Sequence, residues 1–151
     1  MEAIKSSQAS QTYTSEEAYE ASLKYFQGDD LAARVWVNKY ALKDSAGAIY
    51  EVTPDDMHRR IASEIARIEI RYPNPLSEDE IFDLIQHFKY IIPQGSPMTG
   101  IGNPFQIASL SNCFVIGNNG ESDSYGGIMK IDQEQVQLMK RRGGVGHDLS
   151  H

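Results

Sequence analysis

The stretch Ser109-Leu-Ser-Asn-Cys-Phe-Val-Ile-Gly117, continued by Asp123-Ser-Tyr-Gly-Gly-Ile128 and closed by Lys140-Arg-Arg-Gly-Gly-Val-Gly146, decides how this chain is read. It places the single cysteine, Cys113, at the head of an apolar run, Phe114-Val-Ile116, that predicts a buried strand within a longer one over Ile107 to Ile116. A polar turn over 117–122 follows. Ser124 then predicts the start of a helix whose inner side carries Ile128, Ile131, Leu138 and Met139 and which ends at Gly143. Val145-Gly-His147 predicts a further strand. Strand, helix and strand in this order form the crossover unit that builds parallel sheets. Gly143 and Gly144 carry no side chains, so their backbone could lie flush against a ligand.

Upstream, residues 94–105 crowd Gly95, Ser96, Pro97, Gly100, Gly102 and Pro104 into a predicted irregular loop, of the kind that ligands approach. Tyr90-Ile-Ile-Pro93 before it predicts a short buried strand. Ser77-Glu-Asp-Glu80 fits a capping box ahead of a helix with Ile81, Leu84, Ile85 and Phe88 on its apolar face. Thr53-Pro54-Asp55-Asp56 predicts a capped helix with proline at its first position, buried along Met57, Ile61, Ile65 and Ile68 and stopped at Tyr72-Pro73. Asp29 or Asp30 caps an earlier helix with Leu31, Val35 and Tyr40 inward and Trp36 and Val37 widening the stripe. Ser15 can cap the first, in which Tyr19, Leu23 and Phe26 fall on one face and which ends at Gly28. Residues 1–13 have little to bury and read as a mobile tail.

With 151 residues, 40% hydrophobic and 23% charged, the composition is that of a globular domain. The net charge of -7 supplies no basic field for nucleic acid. No apolar run has signal-peptide or membrane-spanning length, and one cysteine makes no internal disulfide, so the expected location is the cytoplasm. His58, His87, His147 and His151 lie too far apart, without a ligand-spaced acid or thiol set, to argue for a metal. Gly100-Ile-Gly102 is followed by Asn-Pro-Phe and fails the dinucleotide fingerprint. Read by themselves, Cys113 is a small hydrophobe in a strand, Ser96-Pro97 and Gly143-Gly144 are turn geometry, and Asp123-Ser124 is a helix cap.

In combination these features resemble the amino-terminal part of ribonucleotide reductase large chains, most closely the adenosylcobalamin-dependent class. The resemblance is carried by Ser111-Asn-Cys-Phe-Val115 with Gly143-Gly-Val-Gly146 at the matching distance, by Pro93-Gln-Gly-Ser-Pro97, by Leu31-Ala-Ala-Arg-Val35 and by Thr53-Pro-Asp-Asp-Met-His-Arg-Arg60, and it runs from about Ala21 to His151. It implies an α+β chain: a disordered tail over 1–13, a helical region over 14–89, and over 90–151 the first strands and crossover helix of an incomplete ten-stranded α/β barrel.

The resemblance also implies roles. Cys113 would supply one of two reducing thiols that remove the ribose 2'-hydroxyl as water and end as a disulfide, while the second thiol and the thiyl-radical cysteine lie on other polypeptide. Ser96 would bond a substrate phosphate oxygen, Asn112 would touch the ribonucleotide, and Gly143 and Gly144 would admit it to the main chain. Asp123 and Ser124 would bind the specificity effector, a deoxynucleoside triphosphate. The implied cofactor is adenosylcobalamin, held mainly by other parts of the barrel. The implied partners are the remainder of the reductase chain or a second polypeptide carrying it, a second copy in a homodimer, and a thioredoxin-like reductant. The chain alone is expected to be inactive. The alternative is a free-standing nucleotide-binding or regulatory module that kept the scaffold and lost the chemistry.

Overall fold

The computed structural model describes residues 11–117, 120, 121 and 123–147. They form α1 (Ser15–Tyr25), α2 (Asp30–Lys39), α3 (Pro54–Glu69), α4 (Glu78–Ile85) with a 3₁₀ turn at Gln86–Phe88, α5 (Gly95–Gly100), β1 (Cys113–Ile116), α6 (Tyr125–Met139) and β2 (Gly144–His147), a mixed α+β arrangement. Among the described residues no helix is long and apolar enough to cross a membrane. The chain divides into two compact units, Met1–Met57 and His58–His151, and α3 runs through the boundary.

In the first unit α1 and α2 pack together, and their fully buried positions are small: Ala18 and Ser22 on α1, Ala33 on α2. Small side chains let helices approach closely, so the inward stripe of α2 is Ala33, Trp36 and Val37, with Leu31 and Val35 turned outward. This corrects the stripe expected from Leu31 and Val35: burying the indole of Trp36 fixes the rotation of the helix. The cap of α1 is Thr14, not Ser15. Glu17 stands three residues after Thr14 and completes a reciprocal box, accepting from Thr14 N at 2.7 Å while Glu17 N donates to Thr14 Oγ1 at 3.2 Å; the residue three after Ser15 is Ala18, which has no acceptor to offer. Buried Ser22 donates from Oγ to Val52 O at 2.8 Å. Tyr13 N donates to Ile49 O at 2.9 Å, so this end of the expected tail is bridged to buried Ile49, while residues 1–10 lie outside the described residues.

In the second unit α3 buries His58, Ile61 and Ala62, with Ile65 and Ile68 half-buried along the same ridge. Ser77 and Glu80 form the expected capping box, and the expected face of α4 is inward at Ile81 and Ile85. Arg59 ties α3 to the start of α4 through Asp79 at 2.7 Å and stacks over the Phe82 ring at 3.7 Å. The two strands pair in parallel, with Cys113 opposite Gly144 and Ile116 opposite His147, and α6 is the crossover between them.

Four expectations in this unit are overturned. Tyr90, Ile91 and Ile92 are 66%, 48% and 69% exposed and form no strand; the amides of Tyr90 and Ile91 both turn back to Leu84 O. The 94–105 loop contains α5, because Pro97 falls in the first turn, where its missing N–H costs nothing. The strand over 107–116 shortens to β1, which is not a buried strand: exposed and half-buried residues alternate along it, and Cys113 and Val115 are on the exposed side. Of the four residues expected on the inner side of α6, Ile131 is buried and Leu138 half-buried, with Ile128 and Met139 exposed. Part of the expected turn over 117–122, at 118, 119 and 122, lies outside the described residues.

Ile61 is 1% exposed, so Ile61→Ala should cost about 2–5 kcal/mol in denaturant unfolding. The amide and hydroxyl of Ser77 hold the Glu80 carboxyl below the usual carboxylate range. A depressed folded pKa gives stability that is present above the unfolded value and lost as pH falls through the folded one. The Tm gap between wild type and Glu80→Gln should therefore hold near neutrality and close in acid.

Candidate functional site

Ser96 sits in the first turn of α5 and is 2% exposed. Its N–H donates to Asn112 Oδ1 at 2.9 Å, and its Oγ lies 3.1 Å from the same oxygen and 3.0 Å from the carbonyl oxygen of Arg142. One hydroxyl proton faces two acceptors, so the O–H serves one at a time while the N–H holds the amide oxygen. With Oδ1 fixed by a backbone donor, the carboxamide has one orientation, and its nitrogen faces Cys113 Sγ at 3.7 Å. The Asn112 carbonyl accepts in turn from Gly144 N at 2.7 Å.

The turn that leaves α6 supplies the third side of this node. Arg142 takes a positive φ of 69°, and Gly143 N returns to Leu138 O at 3.1 Å. Gly143 is buried under the Phe114 ring, where an added Cβ would stand 2.8 Å from a ring carbon, so the position admits no side chain without displacing that ring. Five of the residues singled out in the sequence, Ser96, Asn112, Cys113, Gly143 and Gly144, thus come together, with Cys113 and Gly144 exposed side by side. The Ser96 hydroxyl is buried and engaged inside this node; contact with a phosphate oxygen would exchange it for the Arg142 carbonyl.

Asp123 and Ser124 stand apart, at the other end of α6, whose 15 residues span about 22 Å. Ser124 Oγ accepts from Gly127 N and donates to Glu121 O, both at 3.0 Å, and Asp123 is exposed. The Arg142 carbonyl was not foreseen, since no side-chain pattern marks a backbone acceptor. Among the described residues no group of His, Cys, Asp and Glu could hold a metal ion. A single thiol, a buried hydroxyl and one carboxamide are not a donor set that fits adenosylcobalamin.

Residues 26–100 match the family model of the ribonucleotide reductase all-alpha domain. The match supports a reductase large-chain N-terminal domain over this segment, as the sequence resemblance implied. It takes in α2 to α5, including Ser96, and ends before Asn112, Cys113 and the glycine turn. No curated protein and no solved structure matches the chain.

Asn112→Ala would leave the buried Ser96 N–H without its acceptor and should cost about 1–3 kcal/mol. Asn112→Asp keeps that oxygen and should cost less, a difference that paired denaturant unfolding curves would register.

Proposed function

We propose that this chain is the amino-terminal part of a ribonucleotide reductase of the adenosylcobalamin-dependent type, whose 90–151 region begins the catalytic barrel. Cys113 supplies one reducing thiol, and a second thiol on the remaining polypeptide supplies the other. After a thiyl radical on that polypeptide has activated the ribose, the 2'-hydroxyl leaves as water, a hydrogen takes its place at C2', and the two sulfurs, oxidised by two electrons, join as a disulfide. A dithiol reductant of the thioredoxin kind then reopens it. The ribonucleotide lies across Asn112 and the Gly143-Gly144 backbone, with a phosphate near the α5 N-terminus at Ser96. Asp123 accepts a hydrogen bond from the deoxyribose 3'-hydroxyl of a deoxynucleoside triphosphate effector, beside Ser124 at the start of α6.

One observation supports this reading above the others: the lone thiol is exposed next to Gly144, on a strand tied to Ser96 through Asn112. A thiol that reduces substrate must reach solvent-delivered ligand and must be held in place, and both conditions are met here. The adenosylcobalamin assignment rests on the sequence resemblance, and the cofactor would be held by the remaining polypeptide.

The test combines the chain with a polypeptide carrying the rest of a cobalamin-dependent barrel, together with adenosylcobalamin, dithiol and ribonucleotide. Deoxyribonucleotide should form, and Cys113→Ser should reduce the rate by about three orders of magnitude or more. An unaltered rate in the variant would remove the redox role, and ribonucleotide binding without any turnover would favour the free-standing nucleotide-binding module.

A further inference from the structure

Arg60, on α3, makes contacts that none of the roles above uses. Its guanidinium donates to Met98 O at 2.9 Å and also to Ile101 O. Both carbonyls belong to the end of α5, where a helix leaves carbonyls without internal partners and where its dipole favours a cation. Six residues are too few for a helix to hold itself, so α5 depends on what grips its ends. At one end the grip is Arg60. At the other it is the bonding of Ser96 to Asn112 and the Arg142 carbonyl. Between them, buried Thr99 stiffens the helix by donating from Oγ1 toward Gly95 O at 3.0 Å.

The fit at the Arg60 end is tight. Gly102 has φ +68°, and a Cβ there would stand 2.9 Å from Arg60 Cγ and 3.2 Å from Arg60 O. The residue after the α5 cap is therefore glycine where the arginine stem passes beneath it.

We propose that Arg60 is a positioning residue for the substrate pocket: by holding the end of α5 it sets the place of Ser96, and through Ser96 the orientation of Asn112 and the seat of the Cys113 thiol. The role in a substrate pocket rests on the function proposed above; the mechanical link from Arg60 to Ser96 does not.

The link is read by amide hydrogen exchange on the full chain, comparing Ser96, whose N–H is spent on Asn112, with Ile131 in the buried face of α6. In Arg60→Ala the Ser96 amide should exchange roughly tenfold faster while Ile131 changes less than about twofold. Added methylguanidinium should restore the Ser96 rate, and Arg60→Lys should fall between, since an ammonium lacks the two-pronged geometry. The rate of Cys113 alkylation, specific because the chain has one thiol, should shift with the Ser96 rate. Equal acceleration of Ser96 and Ile131 would reduce Arg60 to a general stabiliser, and an unchanged Ser96 rate would overturn the link. If Arg60→Ala does not fold, Arg60→Lys and Gly102→Ala, which displaces the same stem, are judged by the same two amides. Failure of ribonucleotide to slow Cys113 alkylation in the wild type would count against the proposed function and leave the Arg60 result standing.

Discussion

A buried amide and hydroxyl at Ser96 must find their acceptors inside the protein, and much of the second unit is arranged around meeting that demand. Each such group left unpaired would cost about 1–3 kcal/mol. The acceptors come from distant places: a carboxamide just before β1 and a backbone carbonyl at the exit of α6. Satisfying one serine therefore fastens α5, β1 and the glycine turn at a common point. The parallel pairing of Cys113 with Gly144 follows from the same fastening, since Gly144 N is already bonded to Asn112 O.

The features legible in the sequence were those set by neighbours a few residues apart. Ser77 and Glu80 announce their box because both partners lie within one turn, and Pro54 marks a helix start because its ring fits only there. The crossover of β1, α6 and β2 was legible from the alternation of element types. Where the reading failed, the missing information was tertiary. Tyr90, Ile91 and Ile92 are apolar enough for a strand, yet a strand also requires a neighbour to bond, and the amides of Tyr90 and Ile91 turn to α4 instead. Pro97 reads as a breaker until its place in the first turn of a helix is known. The apolar letters of β1 did not say which side would be covered, and Cys113 fell on the open one.

The candidate site was legible as a set of positions and not as a set of bonds. Order and spacing singled out Ser96, Asn112, Cys113 and the two glycines, which do converge. That Asn112 would answer Ser96, with the Arg142 carbonyl as second acceptor, could not be read, because a carboxamide names no partner in sequence and a backbone carbonyl has no letter at all. The match to the reductase all-alpha domain divides this site: Ser96 lies inside the matched segment, and Asn112, Cys113 and the glycine turn lie after it.

The parallel pairing of β1 with β2 carries a consequence for biosynthesis. Parallel neighbours cannot be joined by a tight turn, so the whole of α6 must be made before Gly144 can meet Cys113. On the ribosome, Ser96 and Asn112 emerge well ahead of Arg142, so the buried serine waits for its second acceptor until the later strand arrives. The node around Ser96 is thus among the last parts of this region to assemble, and a pause in translation after β1 prolongs the interval in which its hydroxyl lacks the Arg142 carbonyl.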